Sequence, residues 1–141
     1  MRIRLLAVGQ KMPDWVTTGS LDYAKRLHDD VRLELVEIPA AKRSKNSEVD
    51  KMKHQEGEAL LAAIHPNERV IALEVGGKEH STHALSQQLN DWLQGGKNVC
   101  LLVGGPDGLS PEVVKRADAL WSLSALTLPH PLVRILLAEQ L

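Results

Sequence analysis

Phenylalanine is absent from this 141-residue chain, and tyrosine and cysteine occur once each. With aromatics at 3%, aliphatic side chains must supply the core. A lone Cys100 excludes an internal disulfide and, inside the apolar run 99–103, reads as a buried, inert thiol. The histidines show no metal-ligand spacing, since His80 and His83 lack a third ligand nearby, so no metal is expected. No stretch approaches the ~18 apolar residues that a membrane-spanning helix needs. Met1-Arg-Ile-Arg4 leads straight into a strand-like segment without the apolar core or cleavage site of a signal peptide. A cytoplasmic protein with no membrane partner is the expectation. Charge of one sign is also lacking, for the formal net charge is −1. Its distribution is uneven: eleven Lys/Arg face eight Asp/Glu in residues 1–54, and six face ten in residues 55–141. That asymmetry permits a local basic patch and nothing broader.

What remains is 43% hydrophobic and 25% charged, the composition of one globular domain spanning residues 1–141. Short aliphatic runs at 3–8, 70–73 and 99–103 read as strands covered on both faces. Residues 31–35 alternate, as a strand nearer the sheet edge does, and 120–123 is a fifth strand. Helical patterns lie between them. Residues 47–64 place Val49, Met52, Leu60 and Ile64 on one face, with Ser47 as cap and an unexplained Gly57 in the middle. Residues 82–94 follow Ser81 as cap and stop at Gly95-Gly96. Ser110-Pro111-Glu112 supplies cap, first-turn proline and an acid at the positive dipole end. A last helix starts near Pro131 with Leu132, Ile135 and Leu136 inward. Such alternation predicts a three-layer α/β domain with a mainly parallel sheet.

Two segments stand out. Val103-Gly-Gly-Pro-Asp-Gly-Leu-Ser-Pro111 interrupts a buried strand with three glycines and starts a helix. It fits neither G-x-G-x-x-G nor a Walker loop. Either a tight turn needs positive φ here, or glycine lets a ligand approach the carboxyl edge of the sheet. From Ala119 to Val133 there is no charge, yet Ser124, Thr127, Pro129 and Pro131 forbid a regular strand or helix throughout. The polar backbone of such a bend needs partners, an adenine edge or ordered water. His130, between the two prolines, is either a proton-transfer group or a structural hydrogen-bonder. Lys42-Arg43-Ser44-Lys45 lacks aromatics, so it is a solvated loop or a reader of phosphates rather than bases.

These two segments, with Val8-Gly-x-Lys-Met-Pro13, Glu37-Ile-Pro-Ala-x-Lys-Arg43, Lys45-Asn46, Glu56-Gly-Glu58 and Gly77-Lys78, resemble the RlmH-type ribosomal RNA methyltransferases of the SPOUT class. The resemblance covers essentially the whole chain. It implies an α/β domain with a C-terminal trefoil knot, a homodimer, and S-adenosylmethionine as cofactor. The implied reaction is methylation of N3 of a large-subunit rRNA pseudouridine, on assembled ribosomes. By the same resemblance the cofactor is held by Leu73, Gly104 and the loop Leu123, Ser124, Ala125, Leu126, Thr127 and Leu128. On physical grounds His130 or water would take the imide proton of such a base, and Lys42, Arg43 and Lys45 would hold RNA phosphates.

The chain departs from that pattern at Ala41, Ser44, Glu74 and His80, and it ends at Leu141 inside an amphipathic segment. Relatives of this type continue into a His-Pro-Tyr-His-Arg tail, so a shortened C-terminal helix is expected. Two other functions stand beside the enzyme. One is a chain that holds the cofactor without turnover, the other an RNA-binding assembly protein that never uses it.

Overall fold

The computed structural model describes residues 2–9, 14–26, 32–39, 48–104, 108–123, 133, 134, 136, 137 and 139. Along them run β1 (Arg2–Val8), α1 (Asp14–Ala24), β2 (Arg32–Ile38), α2 (Val49–Ala63), β3 (Arg69–Glu79), α3 (Thr82–Gly95), β4 (Val99–Val103), α4 (Pro111–Arg116) and β5 (Ala119–Ser122). Every strand pairing is parallel, in the order β2-β1-β4-β3-β5. The two most aliphatic runs, β1 and β4, are buried almost throughout and lie side by side in the sheet interior. The alternating segment is β2, on one edge, as its pattern predicts.

Right-handed crossovers sort the helices. Connections β1–β2 and β3–β4 run toward the β2 edge, so α1 and α3 share one face; α2 and α4 take the other. Packing agrees. Leu85, Leu89, Trp92 and Leu93 of α3 meet Ile3, Leu5, Leu101 and Trp121. On the opposite face Leu60 of α2 and Val113 of α4 meet Leu6, Val70, Cys100 and Leu102. Burial pushes the Cys100 thiol up to about 12, so it stays protonated and unreactive.

The caps follow the local chemistry in two helices. Ser81 Oγ accepts from the Ala84 amide at 3.0 Å, and Gly96, at φ 72°, ends α3. Ser110 Oγ accepts from the Val113 amide at 3.4 Å, ahead of Pro111. The Glu112 carboxyl is held below the usual range, chiefly by a backbone donor and then by the Ser110 hydroxyl. Elsewhere the expectations need correction. In α2 the N-cap is Glu48, with no side-chain cap bond, and Ser47 lies outside the described residues. Helix α1 is not foreseen, because Val16, Thr17, Thr18 and Gly19 are poor helix formers. Only Val16 and Ser20 among its described side chains are buried, so it shows no apolar stripe. In the C-terminal helical segment Val133 and Leu137 point inward and Leu136 is half-buried; Leu132 and Ile135 lie outside the described residues.

Gly57 acquires a reason. A β-carbon there would overlap Ser110 Oγ and sit 3.2 Å from a Val113 methyl. Glycine thus lets α2 touch the capped end of α4. Gly57→Ala should gain about 1 kcal/mol of helix propensity and lose more by displacing the cap. Urea denaturation should show net destabilisation of about 1 kcal/mol; net stabilisation would contradict this contact.

At the amino edge of the sheet Arg4 is buried on the α2 face. Its Nε donates to Glu68 Oε2 at 2.8 Å and its Nη2 to the Ala63 carbonyl at 2.7 Å, closing the end of α2. Glu68 also accepts from the His65 amide at 2.8 Å. Burial pushes the Glu68 carboxyl up, but Arg4 and the His65 amide outweigh it and hold it below the usual carboxylate range.

Candidate functional site

A parallel sheet ends all its strands on one side, and α/β sheets bind ligands at that carboxyl edge. Here β3, β4 and β5 are consecutive neighbours, about 4.8 Å apart. Ala72 pairs with Leu102 on one side and Leu120 on the other, and Leu73 pairs with Trp121. Leu73, Val103 and Trp121 therefore lie in one row, with Gly104 one residue and Leu123 two residues beyond it. The structure brings the three described candidates together on three adjacent strands, with Leu73 just before the bulge of β3 and Gly104 and Leu123 just past the ends of β4 and β5. Ser124, Ala125, Leu126, Thr127, Leu128 and His130 lie outside the described residues, as do Lys42, Arg43 and Lys45.

Local packing explains much of the glycine. A β-carbon on Gly104 would lie 2.7 Å from the Gly108 carbonyl carbon and 3.0 Å from the Leu109 nitrogen. Gly108 has φ 85°. The turn itself thus requires glycine at both positions, with or without a ligand. Gly104→Ala forces this backbone apart and is expected to cost about 1–3 kcal/mol of stability. Urea denaturation measures it, and unchanged stability would contradict the close approach.

The sequence does not foresee how β3 continues. After Leu73 the strand bulges, and Lys78 pairs with Trp121 again. A β-carbon on Gly77 would stand 2.7 Å from the Leu120 carbonyl carbon, so only glycine lets β3 close back onto β5. The Gly76-Gly77 pair inside a strand is the signal for that bulge. Below it, Trp121 stacks on Trp92 with ring centroids 5.3 Å apart and planes 9° apart. His80 packs against the same Trp121 ring at 4.6 Å. This aromatic column lies just before Leu123 along the chain.

Leu73 and Gly104 are half-buried, and Leu123 is 37% exposed, a large apolar side chain left open at a strand exit. None of the three carries charge. Among the described residues no three His, Cys, Asp or Glu side chains gather as metal ligands, and no helix is long and apolar enough to cross a membrane.

Comparison with known proteins gives the fold and the family. A methylase-family protein from Neisseria gonorrhoeae superposes with a TM-score of 0.60 over 98% of this chain and 80% of its own, at 16% identity, which shows the shared fold. Ribosomal RNA large subunit methyltransferase H of Marinomonas sp. (strain MWYL1) is 57% identical over 141 residues, 100% of this chain and 91% of that protein. The protein of the same name from Pseudomonas putida (strain W619) is 55% identical over the same spans. Residues 1–141 match the family described as "Predicted SPOUT methyltransferase". The chain belongs to the SPOUT methyltransferase family, alongside the ribosomal RNA large subunit methyltransferase H proteins.

Proposed function

We propose that this chain, acting as one domain over residues 1–141, transfers a methyl group from S-adenosylmethionine to N3 of a pseudouridine in large-subunit ribosomal RNA. The observation that carries the reading is the meeting of Leu73, before the β3 bulge, with Gly104 and Leu123, just past the ends of β4 and β5, on three adjacent strands. Family membership and the relatives' printed names supply the reaction class and the RNA. A knotted path of the C-terminal chain, a homodimer and a cytoplasmic, ribosome-bound setting belong to the same reading.

S-adenosylmethionine, when bound, supplies a methyl group already activated on a sulfonium. The protein's task is then to align donor and acceptor and to keep water out. Leu73 and Leu123 would exclude water, and the Gly104 backbone would bond the adenosyl group. A neutral lining avoids stabilising the ground state over the transition state, as a carboxylate would. His130 would accept the imide proton, and Lys42, Arg43 and Lys45 would hold phosphates, with affinity that falls steeply as salt rises.

Labelled methyl transfer to ribosomes from a strain lacking this modification tests the proposal. Label at N3 of one large-subunit pseudouridine is expected. Calorimetric binding of S-adenosylmethionine without transfer would instead favour a cofactor-holding chain that does not turn over, and neither result would leave only the RNA-binding reading.

A further inference from the structure

Arg134 is the largest of the fully buried side chains, 1% exposed. It leaves the C-terminal segment on the α3 face and donates from Nη2 to the Gly9 carbonyl at 2.9 Å and from Nη1 to Glu37 at 3.1 Å. Gly9 ends β1 at φ 122°, a glycine conformation, and its own amide donates to Ile38 at 2.7 Å. Glu37 lies one residue before the end of β2. One guanidinium therefore joins the carboxyl ends of two strands to the chain that follows residue 132.

The sheet order gives this clamp its meaning. Leu123 leaves β5 at one edge, whereas Arg134 is fixed at β1 and β2 on the other side. At that side Ala7 pairs with Val103, so Gly9, which Arg134 holds, lies one residue past the level of Gly104 on the neighbouring strand. We infer that Arg134 is a positioning residue for the cofactor site, holding the ends of β1 and β2 beside Gly104. This rests on the proposed use of S-adenosylmethionine.

Stability alone does not call for an arginine here. Arg134 Nε is buried without a hydrogen-bond partner among the described residues, and an apolar side chain of similar volume often serves a buried site as well. The guanidinium adds direction, with two donors aimed at two strands in a fixed fork. Lysine cannot reproduce that fork, so the site should lose alignment as well as stability.

The test compares S-adenosylmethionine affinity by calorimetry, and unfolding in urea, across the wild type, Arg134→Lys, Glu37→Gln and Arg4→Lys. Arg4→Lys is the control, a buried arginine changed at the opposite edge of the sheet. Arg134→Lys is expected to bind about tenfold more weakly, on the scale of one charge-assisted hydrogen bond. Glu37→Gln should lose about threefold with little change in stability, and it carries the test if Arg134→Lys does not fold. Arg4→Lys should lower stability and leave affinity as it was. Unchanged affinity in both carboxyl-edge variants, or an equal loss in Arg4→Lys, overturns the positioning role alone. A wild-type chain that binds no S-adenosylmethionine overturns the cofactor reading and this role with it.

Discussion

Arg4→Met is expected to cost about 3–5 kcal/mol of unfolding free energy at pH 7, because it leaves the Glu68 carboxylate buried without its cation. That is a large share of the roughly 5–15 kcal/mol a domain possesses. Much of the loss is the penalty of the stranded charge, not the net value of the pair. A second change, Glu68→Gln, should therefore recover part of it, which a double-mutant cycle in urea would measure. An additive double variant would show that the two side chains act independently.

The pH dependence has a definite sign. In the wild type the Glu68 carboxyl is held below its unfolded value. Its contribution is present above the unfolded carboxylate range, near pH 4.3, and is lost as pH falls through the folded value. In Arg4→Met the same burial acts without the opposing cation, so the folded value lies above the unfolded one. That variant should regain stability relative to the wild type as pH is lowered from 7 toward 5. A deficit that stays constant over this interval would mean that Glu68 is not its source.

Leu123→Arg should abolish useful methyl transfer while the sheet stays folded. Leu123 is 37% exposed, so the new side chain can enter solvent without breaking the core. A guanidinium near a sulfonium repels it, so binding is expected to weaken at least tenfold, ~1.4 kcal/mol. The apolar cover of the adenosyl group is lost as well. The calorimetric constant and the methylation rate should fall together, with the urea midpoint nearly unchanged. Wild-type methylation by this variant would support the reading in which the chain never uses the cofactor.

Much of the architecture can be read from local chemistry. Continuous aliphatic runs mark the doubly covered β1 and β4, and Ser81, Gly96, Ser110 and Pro111 mark helix ends through backbone donors and φ preferences. What local chemistry hides is set by partners far away in sequence. Arg4 and Glu68 are 64 residues apart, and Arg134 and Gly9 are 125 apart. Each arginine looks like a solvated charge until the fold supplies its acceptors. Gly57 likewise shows only its cost to a helix, since its benefit lies in Ser110, on another element. Helix α1 escapes notice because it buries so little.

The candidate site was legible in two grades. Residues alone place a glycine turn and an uncharged bend at the carboxyl edge of a parallel sheet. Leu73, by contrast, is an ordinary strand leucine, and only the family resemblance singles it out. The structure then puts it in one row with Val103 and Trp121, beside Gly104 and Leu123. The β3 bulge depends on Gly77 meeting the backbone of Leu120 on another strand, a contact with no local trace beyond the Gly76-Gly77 pair.

A crystal structure of the chain grown with S-adenosylmethionine tests the central claim most directly. The adenosyl group is expected beside the β3 bulge and beyond the ends of β4 and β5, touching Leu73, the Gly104 backbone and Leu123. Ligand found at the amino edge near Arg4, or those three residues covered by the protein's own side chains, would contradict the account.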